Sequence, residues 1–407
     1  MALDKKYYDL MSVYQRIRPG DFAFVRTDLN VPHSKEVIAV SEHRIRKAGP
    51  TLRRLSGLQA RIIVCTHWQE GKKCFDVAEL APIIRKHANA DVIVADKDCI
   101  GAQRKELQSR IKPGQILLLQ NVRLHHEEEE KNNDKEFAKE LIDGCQFYIN
   151  DAPGTSHRKH ASIMAAEFFG VQHRGAGDLL KEEFYEFISI RNRVLDLAYQ
   201  KDCRQNNRIP LLVVAGGAKL DKIKSLPEIL ALPGVKAIVG GRVGHAIARY
   251  KELITWGKMP EDPKIIAMID KIDLSQGNVL LPIDHLTYES KKGSDIWDIG
   301  PETVNLFETE IRMAEIIFAN AVMGFAEQDC CDATSKILKT IANINKNKPP
   351  SSRQTHTVMG GGETSSFLAK YKIPEDNFSK ISPSGGAGLE LLANGMLPGI
   401  WPLVIQK

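Results

Sequence analysis

Short apolar runs, each followed by polar or glycine-rich residues and then by a helical pattern, recur along the whole chain. The runs are rich in valine and isoleucine, which is typical of strands buried on both faces of a sheet. Helical segments such as Asp76–His87 and Glu136–Ile142 lie between them. Alternating strands and helices predict βαβ units and parallel sheets, so the expected fold class is α/β. The predicted strands are Phe22–Val25, Arg61–Cys65, Asp91–Ala95, Ile116–Leu119, Phe147–Ile149, Leu211–Ala215, Val235–Val239, Val279–Leu281, Ile316–Ala319 and Thr357–Met359.

One long helical pattern interrupts this alternation. Between Lys181 and Gln200 the apolar residues recur at the spacing of an amphipathic helix, and the polar stretch Lys201–Arg208 after it contains no predicted strand. The simplest interpretation is a helix, 181–200, that connects two α/β domains, 1–180 and 201–392. The alternative is one continuous sheet of about ten strands, near the practical limit for a strongly twisted open sheet.

The length and the overall charge loosely limit the number of domains and the class of partner. A chain of 407 residues suggests two or three domains at roughly 150 residues each. Lysine plus arginine number 56 and aspartate plus glutamate 51, so the net charge is +5. The isoelectric point of about 8.7 lies below the rough threshold of 9 that indicates a nucleic-acid binder. We therefore expect no nucleic-acid partner.

The cysteines and the apolar runs predict the compartment. Seven cysteines are scattered without a C-x-x-C pair, which favours a reducing environment. An alternative interpretation of the adjacent Cys330 and Cys331 is a redox-active pair. The segment Met1–Gln15 has no apolar core of a secretory signal, and no apolar run approaches the ~18 residues of a membrane span. We expect a cytoplasmic protein with no membrane partner.

Charged and polar side chains follow the predicted strands of the first half. In open parallel sheets, ligands bind beyond the carboxyl ends of the strands. A single arginine at such a place is most often a surface residue, but arginine and histidine at successive strand ends suit a phosphate or carboxylate. The acidic run Glu127–Glu130 is interpreted as a solvated loop or helix start without chemistry. The segments at the strand ends are Arg26–Asn30, Thr66–His67, Gln120–Arg123 and Asn150–Arg158, and Arg44 follows shortly after the first of them.

Glycines follow the predicted strands of the second half. Glycine lets a backbone approach a phosphate closely, and a helix N-terminus supplies N–H donors, so these loops predict a nucleotide site. Neither the P-loop pattern nor the usual dinucleotide-binding pattern is present. The glycine-rich segments are Gly216–Lys219, Gly240–Gly241, Gly360–Thr364 and Ser384–Gly388.

The two halves together indicate transfer of a group between two ligands. Phosphoryl transfer needs mainly positioning and charge neutralisation, which arginine, lysine and glycine-rich loops supply. No Ser-His-Asp nucleophile elbow and no zinc-ligand spacing appears.

In their order and spacing these motifs resemble the phosphoglycerate kinase family, closest to its archaeal-type branch. The resemblance runs from Val25 to Ile400. The motifs that carry it are Val25–Pro32, His43–Ile45 with Pro50–Thr51, Leu118–His125, Asn150–Arg158, Gly216–Lys219, Asp298–Thr303, Gly360–Thr364, and Gly385–Ala387 with Leu389–Leu392.

The resemblance implies two doubly wound, Rossmann-like domains joined by a long helix, with a cleft between them and the tail 393–407 packing back on the first. It implies the reversible reaction of glycolysis and gluconeogenesis in which 1,3-bisphosphoglycerate and MgADP give 3-phosphoglycerate and MgATP. Transfer would be direct and in line, with hinge closure to exclude water and no covalent enzyme intermediate. The chain would act as a monomer or a homodimer.

The resemblance also implies roles for individual residues. Arg44 and Lys219 would be catalytic, and Glu363 would stand near Mg²⁺ where the family usually has aspartate. The residues implied to bind phosphoglycerate are Asp28, Asn30, Arg44, His67, Arg123 and Arg158. Those implied to bind the nucleotide are Gly217, Lys219, Lys222, Gly240, Gly241, Asn320, Glu327, Gly361, Gly362, Glu363, Thr364, Gly385 and Gly386.

Several positions depart from the family pattern. Trp68–Lys73 replaces Leu-Gly-Arg-Pro, so the role of the arginine would fall to Lys72 or Lys73. The chain is one residue short between Lys219 and Lys222, and Ala321–Val322 and Pro383–Ser384 replace a Gly-Pro pair and a richer glycine turn. These changes favour altered nucleotide binding and motivate an alternative function, a regulatory protein that holds phosphoglycerate without turnover. A nicotinamide dehydrogenase is a remote third possibility.

Overall fold

The computed structural model describes residues 8–31, 33, 35–132, 134–217, 220–255, 259–288, 296–320, 323–324, 332–346, 348–349, 353–361 and 367–406. The chain divides into two compact units, residues 1–188 with 395–407 and residues 189–394. Within the described ranges, each unit contains its own six-stranded parallel sheet. The alternative of one continuous sheet is therefore excluded.

The sheet of the first unit has the order β6-β7-β3-β2-β8-β9. After β2 the chain adds β3, β6 and β7 on one side of it. The chain then returns and adds β8 and β9 on the other side, which is the doubly wound arrangement. The order reverses between β2 and β8, and ligands of such sheets bind at this switch point. The strands are β2 (Phe22–Thr27), β3 (Arg61–Cys65), β6 (Val92–Ala95), β7 (Ile116–Leu119), β8 (Phe147–Asp151) and β9 (Arg174–Ala176).

Helices and short strands complete the first unit. The pattern at Asp76–His87 predicts one helix, but the structure has a 3₁₀ turn, Val77–Leu80, followed by α2. The 3₁₀ turn ends and α2 begins just before Pro82, which lies in the first turn of α2. Proline is favoured at the start of a helix. The helices are α1 (Lys35–Gly57), α2 (Ala81–Ala88), α3 (Gly101–Arg110), α4 (Lys135–Leu141) and α5 (Ala161–Met164). The short antiparallel pairs are β1 (Tyr8–Leu10) with β18 (Val404–Gln406), and β4 (Gln69–Glu70) with β5 (Lys73–Cys74).

The second unit repeats the doubly wound arrangement in the order β12-β11-β10-β15-β16-β17. The order reverses between β10 and β15, where Ala215 pairs with Asn320. The strands are β10 (Ile209–Ala215), β11 (Val235–Val239), β12 (Val279–Leu280), β15 (Ala314–Asn320), β16 (His356–Gly360) and β17 (Lys380–Ser382), with a hairpin of β13 (His285–Tyr288) and β14 (Ile296–Ile299). The helices described are α7 (Lys201–Gln205), α8 (Leu226–Leu230), α9 (Gly241–Tyr250), α10 (Pro263–Ile269), α11 (Pro301–Met313), α12 (Asp332–Asn343) and α13 (Gly386–Asn394).

The long helix α6 spans Asp178–Tyr199, so it begins before the predicted start at Lys181. Asp151, the last residue of β8, caps it: its Oδ1 accepts hydrogen bonds from the backbone N–H groups of Leu179 (3.0 Å) and Leu180 (3.1 Å). The division between the two units falls within this helix. The polar stretch after α6 contains no strand and forms the short helix α7.

Apolar side chains fill the interior of each unit. Strands β3, β7 and β10 are buried along nearly their whole length, which explains why they read as continuous apolar runs. Full burial of one such leucine or isoleucine contributes roughly 1.5–3 kcal/mol. Among the described residues, no helix has the length and apolar content to cross a membrane.

Candidate active site

The carboxyl edge of the first sheet gathers the polar residues that the sequence singled out. Arg26 and Asp28 lie at the end of β2, His67 follows β3, and Arg123 follows β7. Arg26 pairs in register with Asn150 of β8, at the switch point. Because the strands are parallel, their carboxyl ends meet at one edge, and residues distant in sequence become neighbours.

Asp28 and Arg44 form an ion pair that orders the segment after β2. Arg44 Nη1 donates to Asp28 Oδ1 (3.1 Å) and to the backbone oxygen of Asn30 (3.0 Å). Burial alone would raise the pKa of Asp28, but the charges of Arg44 and Arg26 outweigh it and hold that pKa below its usual value. Asp28 is therefore ionised and fixes Arg44. The side-chain oxygen of Asn30 accepts from the backbone N–H of Gln69 (2.9 Å).

Arg26 holds His67 in one tautomer. Arg26 is fully buried, and its Nη2 lies 3.3 Å from His67 Nδ1. Because a guanidinium group only donates, Nδ1 must accept, and the proton of the neutral imidazole stays on Nε2. Burial, with the charges of Arg26, Arg123 and Arg44, lowers the pKa of His67 to about 3 against the opposing effect of Asp28. His67 is thus a neutral N–H donor at this edge.

Glu128 corrects the interpretation of the acidic run. Glu128 is fully buried, and its two carboxylate oxygens accept from the backbone N–H (2.8 Å) and hydroxyl (2.6 Å) of Ser162. Its Oε1 lies 3.9 Å from Arg26 Nη2, while Arg26 Nε donates to Ser162 Oγ (2.7 Å). Burial raises the pKa of Glu128, and Arg26 and Ser162 oppose that rise. The run is therefore not uniformly solvated, since one member neutralises a buried arginine.

Arg123 contacts a second neutral histidine. Arg123 Nη2 donates to His160 Nε2 (2.7 Å), and its Nη1 lies 3.9 Å from Glu129 Oε1. Burial and the charges of Arg123, Arg26 and Arg158 lower the pKa of His160 to about 2. The other ring nitrogen, Nδ1, is buried and makes no hydrogen bond within the described part of the chain. Because Nε2 accepts from Arg123, the proton of the neutral ring lies on Nδ1, which is a buried N–H donor.

Arg158 completes this set of residues. It is exposed, its Nε donates to His157 Nε2 (3.1 Å), and its charge contributes, after burial, to the lowered pKa of Arg123. We call the residues Arg26, Arg44, His67, Arg123, Arg158 and His160 the basic cluster. Four guanidinium groups accompany two buried carboxylates, Asp28 and Glu128, so the cluster keeps an excess of positive charge.

Sequence reasoning did not assign roles to Arg26, Glu128, Ser162 or His160. Arg26 immediately precedes the Thr27–Asp28 pair, and His160 lies two residues after Arg158. In the sequence, a role for these two residues is indicated only by their positions beside predicted binding residues. Their burial and mutual contacts depend on the folded structure.

The hairpin β4–β5 occupies the place of the family's Leu-Gly-Arg-Pro. Trp68, at its start, is fully buried and donates from Nε1 to the backbone oxygen of Val31 (2.6 Å). Lys73 Nζ lies 5.3 Å from the centre of the Phe75 ring, while Lys72 is exposed. Cys74 donates its thiol hydrogen to the backbone oxygen of Arg123 (3.4 Å).

Glycines gather at the carboxyl edge of the second sheet. Gly217 follows β10, Gly240 and Gly241 join β11 to α9, and Gly361 follows β16. Gly361 and Gly385 have positive φ (+91° and +51°), and a Cβ on Gly385 would lie 3.2 Å from the Cα of Gly361.

Asn320 and α13 lie beside these glycines. A Cβ on Gly361 would lie 3.0 Å from Asn320 Oδ1, so this approach requires glycine. Gly386 begins α13, and the first backbone N–H groups of a helix have no carbonyl partner within it; that of Ala387 donates to the backbone oxygen of Ser384 (3.0 Å). Asn320, Gly361, Gly385 and Gly386 are thus brought together.

The remaining predicted nucleotide residues are described only in part or not at all. Lys222 lies in the 3₁₀ turn Leu220–Ser225, and its side chain is outside the described part. Lys219, Glu327, Gly362, Glu363 and Thr364 lie outside the described residues, as do Cys330 and Cys331.

Comparisons with known proteins agree along nearly the whole chain. The family model described as phosphoglycerate kinase matches residues 19–395. Phosphoglycerate kinase of Nautilia profundicola is 33% identical, and the match covers 96% of this chain and 97% of the relative. That of Campylobacter lari is 32% identical over 94% and 95% of the two chains.

Solved structures share the fold. The crystal structure of phosphoglycerate kinase from the archaeon Pyrococcus horikoshii has a TM-score of 0.72 at 23% identity and covers 97% of this chain and 98% of its own. The structure from Coxiella burnetii has a TM-score of 0.64 at 24% identity, with 97% and 99% covered. The matched family model and the curated relatives show that the chain belongs to the phosphoglycerate kinase family.

Proposed function

We propose that the basic cluster binds 3-phosphoglycerate and 1,3-bisphosphoglycerate in the first domain, 1–180. The excess of guanidinium charge suits a ligand that carries phosphate and carboxylate groups. Neutral His67 adds an N–H donor without further charge. The residues proposed to contact the ligand are Asp28, Asn30, Arg44, His67, Arg123 and Arg158. Asp28 and the backbone oxygen of Asn30 would in addition hold Arg44, which lies on α1.

The nucleotide site is assigned to the second domain, 201–392. The gathering of Asn320, Gly361, Gly385 and Gly386 at the switch point between β10 and β15 supports this assignment. Small residues allow the phosphates to approach the backbone, and the start of α13 offers N–H donors. The full proposed set is Gly217, Lys219, Lys222, Gly240, Gly241, Asn320, Glu327, Gly361, Gly362, Glu363, Thr364, Gly385 and Gly386. Mg²⁺ would enter with ATP or ADP as part of the substrate, near Glu363.

The family's reaction is the reversible transfer of one phosphoryl group. In the direction of ATP use, a carboxylate oxygen of 3-phosphoglycerate attacks the γ-phosphorus of MgATP. The new bond forms between that oxygen and phosphorus, the bond to the bridging oxygen of ADP breaks, and 1,3-bisphosphoglycerate and MgADP result. We propose that Arg44 and Lys219 neutralise the negative charge of the phosphoryl group during transfer, because this chemistry requires mainly positioning and charge neutralisation. Hinge closure would exclude water, which would otherwise hydrolyse the acyl phosphate.

The domain boundaries and the cellular setting are part of the same proposal. The helix 181–200 would be the linker, and the tail 393–407 would belong with the first domain. In the first unit, Asn150 Nδ2 of β8 donates to the backbone oxygen of Gly399 (2.9 Å), which supports that placement of the tail. Cytoplasmic glycolysis is the proposed setting, with a monomer or homodimer as the acting form.

The observation that carries the proposal is the convergence of Arg44, His67 and Arg123 at one sheet edge. The test is a coupled spectrophotometric assay with 3-phosphoglycerate and MgATP, paired with calorimetric titration of 3-phosphoglycerate. We expect turnover and binding. Binding without turnover at millimolar substrates would overturn the kinase and support the regulatory alternative, which the departures at Ala321–Val322 and Pro383–Ser384 motivate. Absence of both would overturn the assignment of the basic cluster.

A further inference from the structure

Three potential metal ligands converge outside the basic cluster. Asp98 and Cys99 lie in the loop between β6 and α3, and His125 lies between the 3₁₀ turns that follow β7. In the described part of the chain, one ligand atom from each residue lies within 4.8 Å of the other two. The residues belong to separate loops, so no spacing in the sequence indicates the cluster.

Hydrogen bonds hold these groups around one carboxylate. His125 Nε2 donates to Asp98 Oδ1 (2.7 Å), and the Cys99 sulfur lies within 4.8 Å of the ligand atoms of both residues. The backbone N–H of Ile100 donates to the same Oδ1 (3.2 Å) and fixes the carboxylate. The imidazole thus points a proton at Asp98, and a divalent cation could replace that proton and bond the carboxylate, the ring nitrogen and the sulfur.

The surroundings leave the cluster reachable from one side. Cys99 is only 1% exposed and lies at the base, whereas Asp98 and His125 are partly exposed. The His125 ring packs against Phe137, with ring centroids 5.0 Å apart, which restricts rotation of the imidazole. A cation could therefore enter from the solvent side and keep a water molecule as its fourth ligand.

The donor set selects the metal. Thiolate, imidazole and carboxylate together suit Zn²⁺, whereas Mg²⁺ and Ca²⁺ prefer oxygen ligands only. On the far side of the ring, His125 Nδ1 lies 4.0 Å from Glu127 Oε2. A carboxylate that accepts from the second ring nitrogen is a common partner of a zinc-bound histidine.

We propose that Asp98, Cys99 and His125 form a zinc-binding site that is separate from the magnesium brought by the nucleotide. On binding, the Cys99 thiol releases its proton to solvent and the sulfur bonds the metal. His125 Nε2 becomes a ligand, and its ring proton moves to Nδ1, where Glu127 accepts it. Because His125 lies two residues after Arg123, bound zinc would tie the segment that carries Arg123 to the loop after β6.

The test uses Co²⁺ as a spectroscopic substitute for Zn²⁺ on the full chain. We expect one equivalent of Co²⁺ to give a sulfur-to-metal charge-transfer band and the strong visible bands of a four-coordinate site, and one equivalent of Zn²⁺ to remove both. Cys99→Ser should abolish the charge-transfer band. Cys145→Ser, at a cysteine elsewhere in the same unit, is the matched control and should leave the band intact.

Affinity for Zn²⁺, measured by competition with a chromophoric chelator, provides the second readout. His125→Ala should weaken binding by more than the roughly 10- to 100-fold typical of losing an outer partner, and Glu127→Gln should weaken it within that range. His173→Ala, at an exposed histidine elsewhere in the same unit, is the control. Melting temperatures without metal would verify that each variant folds.

Either of two results would overturn the proposal: a wild-type spectrum without sulfur-to-metal charge transfer, or Zn²⁺ affinity unchanged by both Cys99→Ser and His125→Ala. If Cys99→Ser failed to fold, loss of the band in His125→Ala would decide the question. None of these readouts depends on kinase turnover, so the proposal can fail or succeed independently of the proposed function.

Discussion

Glu128 is the buried counter-charge of Arg26: the two side chains are 0% exposed, and Oε1 lies 3.9 Å from Nη2. Ser162 Oγ connects them, because it accepts from Arg26 Nε and donates to Glu128 Oε1. Arg26 in turn donates to His67. A buried carboxylate therefore holds, through Ser162, the arginine that fixes the tautomer of a histidine at the candidate site.

Removing that counter-charge should affect stability and substrate binding together. In Glu128→Gln, Arg26 remains buried without a compensating charge, so we expect the free energy of unfolding to fall by about 3 kcal/mol. The KM for 3-phosphoglycerate should rise because His67 loses its fixed donor. Urea denaturation and initial-rate kinetics measure the two effects. Glu130→Gln, at an exposed member of the same run, should change neither, and equal behaviour of the two variants would contradict this account.

His67 should remain neutral well below the usual range for histidine. With its pKa lowered to about 3, the ring should show no protonation from pH 8 down to about pH 5, and its proton should reside on Nε2. Nitrogen-15 NMR of the histidine side chains measures both properties. A titration of His67 between about pH 6 and pH 7 would show that burial and the neighbouring arginines do not lower its pKa.

Asp151 should make stability depend on pH. Burial raises its pKa to about 7, against the opposing hydrogen bonds from Thr51 and the start of α6. Between about pH 4 and pH 7 the folded state keeps a proton that the unfolded carboxyl loses, so stability should fall as pH rises through this window. The slope for one proton is at most about 1.4 kcal/mol per pH unit.

Asp151→Asn should remove this contribution while the amide oxygen still caps α6. Denaturation across the window measures the difference from wild type, and Asp91→Asn at an exposed site is the control. A wild-type profile parallel to that of Asp151→Asn would refute the raised pKa.

Lys219 should act mainly in the chemical step. Its assignment rests on the Gly216–Lys219 motif, and loss of one group that stabilises charge in the transition state typically lowers kcat by about 10²–10³. We expect Lys219→Ala to lower kcat to that extent with a smaller change in KM. Lys224→Ala, in the same segment and exposed, should behave as wild type. A wild-type kcat in Lys219→Ala would show that Lys219 does not act in the chemical step.

The sequence predicts those strands that are continuous apolar runs, and it misses the short strands β9 and β17 at the edges of the two sheets. Arg61–Cys65, Ile116–Leu119 and Val235–Val239 match the observed bounds. The fold class follows from the alternation of these strands with helical segments, and the family motifs identify the reaction. Helix α1 was not predicted, because Pro50 lies inside it and its charged residues obscure the periodicity.

The charge environment of the site could not be predicted in the same way. Glu128 looks like any other member of an acidic run, and its burial depends on Ser162, 34 residues away in sequence. The neutral state of His160 likewise depends on Arg123, 37 residues away. Such contacts arise only when parallel strands bring their ends to one edge.

The most direct test of the central claim is the kinetics of Arg123→Ala with each substrate varied in turn. Loss of a hydrogen bond to a charged group costs about 1.5–3 kcal/mol, which corresponds to roughly a tenfold or greater change in an equilibrium constant. If the basic cluster is the phosphoglycerate site, the KM for 3-phosphoglycerate should rise at least about tenfold while the KM for MgATP stays within about twofold. A KM for 3-phosphoglycerate equal to that of wild type would contradict the assignment.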